Sequence, residues 1–227
     1  MTCSNKNSME LIYNFQNMND FLINNQLSSS WDKLLRNIKD LWWSTEMVKT
    51  NPPISIEEIS MIEKNIGVKL PEEYIHFITN RFSWIHLYWH FETWMNNVNH
   101  WKINWNIHEI NSLYKEYTSW IKDCFNDIHN PYDLIWHDKL PLIKIDNWDF
   151  IAYDLKDPKI VYLSHDDWET HWYFLWNNFL DFIIKWTNVC VIWPEWWDIK
   201  NFIDTPTGWI NPYWKNAITL KELLWMR

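Results

Sequence analysis

Glycine is almost missing from this chain. Its 227 residues include 2 glycines against 21 tryptophans. A typical chain carries roughly 7% glycine, which would be about 16 residues at this length. Turns that need a positive φ must therefore be built from residues that dislike it. Cysteine is also scarce: Cys3, Cys124 and Cys190 are odd in number, widely spaced and without a CxxC. That indicates neither a disulfide framework nor a zinc site. No apolar run approaches the ~18 residues of a membrane span. The opening MTCSNKNSMELIYNF has neither a basic n-region nor an apolar h-region, so no secretory signal is visible and the expected location is cytoplasmic. Positive charge is in deficit. Lys and Arg total 20, Asp and Glu 29, and the net charge is -9. A basic surface for nucleic acid is not expected.

Apolar residues make up 47% and charged residues 22%, the balance of a globular chain. Ala and Arg are scarce while Asn and Ile abound, which points to an AT-rich coding sequence. SSSWDKLLRNIKDLWW offers a serine cap and apolar residues at 31, 34, 35, 38 and 41, so one helix face is buried. The best-punctuated stretch is ISIEEISMIEKNIGVKLPEEYIHFI. Ser55 and Glu58 form a capping box, Ile56, Ile59, Ile62 and Ile66 line one face, and Gly67 stands where a C′ glycine belongs. Pro71 opens a second helix, with Glu72 and Glu73 in its first turn and Tyr74, Phe77, Ile78 and Phe82 on its buried side. Residues 85–92 alternate as a strand, and a helix is expected within HEINSLYKEYTSWIKDCF. Strands return at 140–146, 150–154 and 159–164, followed by a helix in NNFLDFIIKW and a short one in TLKELLWMR. Helices, a strand meander and helices again predict an α+β domain with an antiparallel or mixed central sheet flanked by helices.

The densest polar cluster is SHDDWETH, with His165, Asp166, Asp167, Glu169 and His171. It could hold a divalent metal or pair His165 with a carboxylate for acid–base work, but its spacing matches no named metal motif. A structural or solvent-exposed role is the simpler reading. DIHNPYDLIWHD reads as a loop, because Asn-Pro marks a turn. His86, Tyr88 and His90 share one face of the 85–92 strand and offer a binding surface. There is no GxSxG, no activating context for Cys124 or Cys190, and no phosphate-cradling glycine loop. No catalytic residue, metal or cofactor is expected.

KIDNWDFIAYDL reads as a hairpin turning at Asn147-Trp148. The second residue of such a turn needs positive φ and is ordinarily glycine, so Trp148 is sterically anomalous there.

The motif Glu58, Ile59, Glu63, Ile66, Gly67, Leu70, Pro71, Tyr74 and Phe77, with Trp31 in the earlier helix, resembles the signature of the SUKH superfamily of cell-wall-synthesis regulators and bacterial immunity proteins. The later segments SWIHLYWHF, LPLIKIDNWDFIAYDL, VYLSH and NNFLDFIIKW follow that family's order, which brings in Trp89, Asp154 and His165. The resemblance implies one SUKH-like domain over 30–227, after an extension at 1–29 and with an insertion at about 95–138. It implies mostly structural roles for Trp31, Glu58, Glu63, Gly67, Leu70, Pro71, Tyr74, Trp89, Asp154 and His165. It leaves His86, Tyr88, His90, Asp166 and Asp167 as the candidate partner surface.

This chain departs from the family by writing Trp where the family favours glycine: at 84 and 148, and by extension at 172, 176, 193 and 214. Trp31, Trp89 and Trp186 fall where an aromatic belongs. UGA encodes Trp in some genetic codes and Gly in others, so one misassigned codon accounts for both the composition and the positions. The function implied is binding and neutralising a cognate toxin, and an acidic inhibitor suits a basic one. The alternatives are an intracellular regulatory scaffold on the same fold and a protein that stacks carbohydrate or another ligand on exposed Trp.

Overall fold

The structure is a computed structural model, and it describes residues 29, 32–34, 36, 44–90, 100–165, 173–192, 195–204 and 206–223. Among these, residues 32–34 and 36 are helical and Leu34 is fully buried, as the spacing of the early helix predicts. Trp31 and nearly all of the 1–29 extension lie outside the described residues.

The chain then forms β1 (Ser44–Asn51), α1 (Ile56–Ile66), α2 (Glu72–Asn80), β2 (Trp84–His90) and β3 (His100–Asn106). A short 3-10 turn leads into α3 (Ile110–Cys124), followed by α4 (Pro131–Trp136). The meander is β4 (Lys139–Lys144), β5 (Phe150–Asp154), β6 (Lys159–Leu163) and β7 (Tyr173–Trp176). Last come α5 (Phe179–Asn188), α6 (Trp196–Ile199) and α7 (Lys215–Leu223). The α+β class is as predicted, but the strands divide between two antiparallel sheets, β1-β2-β3 and β4-β5-β6-β7.

The signature residues work as punctuation. Ser55 and Glu58 complete their capping box in both directions. Gly67 takes φ 71° and returns its N–H to the Glu63 carbonyl. Glu63 then uses its carboxylate on the following turn, accepting from the Leu70 N–H at 2.9 Å and from Lys69 at 2.5 Å. Leu70, buried, and Pro71 are thereby aimed into α2. From α2, Tyr74 and Phe77 pack edge-on against Trp105 of β3 and Phe179 of α5 at 4.8–5.8 Å. The Trp105 indole N–H donates to the Tyr74 hydroxyl at 2.9 Å, so the buried polar atoms of the cluster satisfy each other.

The four-stranded sheet is buried on both faces. Ile151, Tyr153, Ile160 and Tyr162 face the main core, while Phe150, Ala152, Val161 and Leu163 face a second cluster. That cluster is built by Tyr117 of α3 with Phe125 and Trp136, the last two stacked at 4.4 Å. The 127–138 stretch is therefore no loop, contrary to the Asn-Pro reading. Asn130 caps α4 by accepting from the Tyr132 N–H at 3.0 Å, and Pro131 occupies its first turn. The same dipeptide that starts a turn also starts a helix, and here the buried Trp136 decides between them.

Where β4, β5 and β6 begin and end, a buried ion pair joins Lys139 to Asp154 at 3.2 Å, with side chains 6% and 5% exposed. Lys139 also donates to the His137 carbonyl at 2.8 Å. Asp154 accepts from the N–H groups of Lys156 and Asp157, closing the β5–β6 turn. Burial lowers the Lys139 pKa, and Asp154 opposes that. Burial alone would raise Asp154, but the Asp157 and Lys156 N–H groups together with Lys139 hold it below its ordinary 3.8. Removing one partner strands the other. Asp154→Ala should cost about 3–5 kcal/mol in urea unfolding, and Lys139→Met/Asp154→Leu should recover most of it. Because its folded pKa is depressed, Asp154 stabilises the fold above pH 3.8, and that contribution fades as pH falls through the folded value. An acid titration of Asp154→Asn should lack that component.

Candidate partner-binding surfaces

The strand proposed as a binding surface has the expected alternation. Ile85 and Leu87 are buried at 1% and 0%, and Trp84, His86 and Tyr88 take the opposite face. That face is only half open. The Trp84 indole N–H donates to Asn104 Oδ1 at 3.3 Å, and His86 Nδ1 lies 3.2 Å from the same oxygen. The register places Lys49 of β1 and Asn104 of β3 beside His86. His90 pairs with Ser44 and His100 in the backbone ladder, but its side chain and that of Trp89 lie outside the described residues. So do Asp166 and Asp167, and with them most of the SHDDWETH cluster.

His165 is described, and its position is structural in detail. Its backbone N–H and its ring Nδ1 both address Asp149 Oδ1, at 3.0 and 2.9 Å. Asp149 is 1% exposed and accepts through its other oxygen from the Tyr162 hydroxyl at 2.7 Å and from Asn147 at 2.8 Å. Burial, and then Asp149 itself, raise the Tyr162 pKa far above its ordinary range, so that hydroxyl remains a donor. Tyr162 accepts in turn from the Trp196 N–H at 3.1 Å. One carboxylate thus ties the β4–β5 turn, the end of β6 and the start of α6.

Sequence reasoning singled out His165 and passed over Asp149. A lone Asp after a turn carries no signal of burial, and only the alternation of FIAYD could have suggested it. His165 also packs edge-on to Trp120 of α3 at 5.9 Å, and the Tyr132 hydroxyl reaches the Ser164 and His165 carbonyls at 3.0 and 3.2 Å. Among the described residues no group of three His, Cys, Asp or Glu is arranged to hold a metal. No described helix is long and apolar enough to cross a membrane.

The hairpin confirms the anomaly at Trp148 and refines its geometry. Trp148 N–H closes a turn on the Ile145 carbonyl at 3.0 Å, and Ile145 pairs with Asp149, so the loop is three residues (146–148) rather than two. Its last residue takes the left-handed region, with Trp148 at φ 72°, where such loops favour glycine. The indole, 47% exposed, stacks on Trp120 at 5.4 Å and lies 3.9 Å from the Lys144 ammonium, which is itself paired with Glu116.

The other tryptophans read as glycine positions behave differently. Trp84, Trp176 and Trp214 do not adopt positive φ. Trp176 is well accommodated, its N–H donating to Asp181 at 2.5 Å and its ring meeting Trp209 edge-on at 4.7 Å. The steric reason for glycine therefore holds at 148 and not at 84, 176 or 214. Trp172 and Trp193 lie outside the described residues.

A family model described as the SMI1 / KNR4 family (SUKH-1) matches residues 53–185, more than half of the chain. No curated protein matches it.

These contacts set the stability cost of three substitutions. Asp149→Ala should cost about 3 kcal/mol or more in urea unfolding, because it orphans the donors of Asn147, Tyr162 and His165. His165→Ala should cost only about 1 kcal/mol, since its backbone bond to Asp149 survives. At Trp148, left-handed strain of about 1–2 kcal/mol opposes stacking of about 0.5–1.5 and an exposed cation–π contact of about 0.5–1 kcal/mol. Trp148→Gly should therefore shift stability by less than about 1 kcal/mol, a near balance that thermal unfolding can check.

Proposed function

Because the chain belongs to the SMI1 / KNR4 family (SUKH-1), we propose that it is a non-enzymatic binding protein, an immunity protein that binds a cognate toxin in the cytoplasm and neutralises it. The family is generally non-catalytic and often binds protein partners. The observation that carries the reading is the fate of His165, the residue the sequence offered for acid–base work. Asp149 is 1% exposed and spends its carboxylate on His165, Tyr162 and Asn147, so the pair acts as a strut between strands. A regulatory scaffold on the same fold is the second reading, and a Trp-based carbohydrate binder the third. Exposed Trp148 and Trp197 favour the latter.

Gene neighbourhood separates the first two, since a toxin gene immediately upstream belongs with immunity. Co-expression with that toxin should restore growth, and the two proteins should co-purify. Growth arrest that persists despite soluble expression of this chain would reject the immunity reading.

We also propose that residue 148 is glycine in the cell, encoded by UGA. Its φ of 72° and the ratio of 21 Trp to 2 Gly both support this. The coding DNA decides: a UGA codon at 148 is expected, together with glycine in the peptide mass spectrum of the native protein. A UGG codon there would sink the idea.

A further inference from the structure

Beyond the family-matched residues, the C-terminal segment collects exposed aromatic surface. Trp197 is 58% exposed and Tyr213 75%, the latter the highest among the exposed large apolar side chains described. Each has a lysine ammonium over its ring, Lys200 at 5.5 Å from Trp197 and Lys221 at 5.2 Å from Tyr213. Hydrogen bonds join the two segments that carry them. Asn216, a turn beyond Tyr213, donates to the Asn201 carbonyl at 2.7 Å, and Asn201 donates to the Trp197 carbonyl at 2.6 Å. Beneath them Ile199, Phe202, Ala217 and Leu220 are buried in the main core, so the surface is mounted on a packed base. Trp197 lies in a helical turn without positive φ, so the glycine argument does not reach it.

The local charge departs from that of the whole chain, since three lysines and three carboxylates balance between residues 196 and 223. Lys200 and Lys215 are exposed here and Lys221 partly so, in a protein of net charge -9. The carboxylates are mostly less exposed than the lysines. Asp204 is buried and turned inward onto the Thr207 and Asn211 donors at 2.6 Å. Asp198 is partly buried, its pKa pushed up to about 6 by burial and by Glu195. Glu222 is the one exposed acid among the described residues from 196 to 223.

We propose that this lysine-and-aromatic surface is a docking site for an acidic segment of a partner protein. Carboxylates of the partner meet Lys200 and Lys215, and its apolar side chains rest on Trp197 and Tyr213. Tyr and Trp are the residues that most often dominate interface energy, and opposite charge sets register and on-rate. The proposal rests on reading the chain as a protein binder, and does not need that partner to be a toxin.

The test uses the full chain and a fluorescent synthetic peptide of alternating Glu and Leu, with a Lys/Leu counterpart, single-stranded oligothymidylate and phosphatidylserine vesicles as comparisons. The Glu/Leu peptide should bind, and more weakly as salt rises. Affinity should fall about tenfold in Lys200→Glu/Lys215→Glu and in Tyr213→Ala, and stay unchanged in Met61→Ser on α1. Circular dichroism should show all variants folded, since the altered side chains are exposed. No binding, equal binding of the Lys/Leu peptide, indifference to the variants, or tighter binding of oligonucleotide or vesicles through the same lysines would each overturn it. Toxin neutralisation that fails while the peptide still binds sinks the immunity reading alone.

Discussion

The rest of the molecule depends on a constraint at its centre: β5 is buried on both faces and at both ends. A strand in that position cannot leave a polar group to water, so its termini need internal partners. Two aspartates supply them. Asp149 closes the turn before β5 and holds the end of β6 through His165. Asp154 closes the turn after it and neutralises Lys139. Each carboxylate satisfies backbone N–H groups as well as side chains, which is why burying a charge is tolerable at both places. Both turns join strands adjacent in sequence, in keeping with the meander order β4-β5-β6-β7.

The α1–turn–α2 unit serves that sheet from one side. Gly67, Glu63, Leu70 and Pro71 set the angle at which α2 leaves the turn, and that angle delivers Tyr74 and Phe77 to Trp105 and Phe179. Glu73 adds a bond across to the Phe179 N–H at 3.0 Å, fixing the start of α5. Burial raises the Glu73 pKa, so this contact is made by a carboxyl with weakened acidity. On the other side, Tyr117 and Trp136 cover Phe150 and Ala152. Aromatic side chains thus carry the helix packing in both clusters, Tyr74 and Phe77 in the main core and Tyr117 and Trp136 in the second.

Where local chemistry decides the structure, the sequence is easily read. The Ser55 capping box, the C′ glycine at 67, the Pro71 helix start and the alternation of β5 and β6 are all settled by neighbours within a few residues. The misses share a cause. Asn130-Pro131 suits a turn and a helix start equally, and Trp136 packing on Phe125 selects the helix. Strands β1 and β7 have no clean alternation and are defined by their pairing with β2 and β6. Asp149 became visible only when strand pairing brought Tyr162 and His165 around it. For the site, the His86 and Tyr88 face was legible from period-2 spacing, whereas the exposure of Trp197 and Tyr213 depends on how α6 and α7 meet.

The two-faced sheet also partitions the chain's tolerance to change. Ile151 and Ala152 are adjacent in sequence yet belong to different packing compartments, while Ile151 and Tyr162, eleven residues apart, oppose each other across the ladder and share one. Energetic coupling follows shared packing rather than chain order. Substitutions on opposite faces of β5 and β6 therefore accumulate independently, and compensation arises within a face. The sheet separates two packing compartments, and α3 alone among the described helices reaches both, with Ile110 in the main core and Tyr117 in the second cluster.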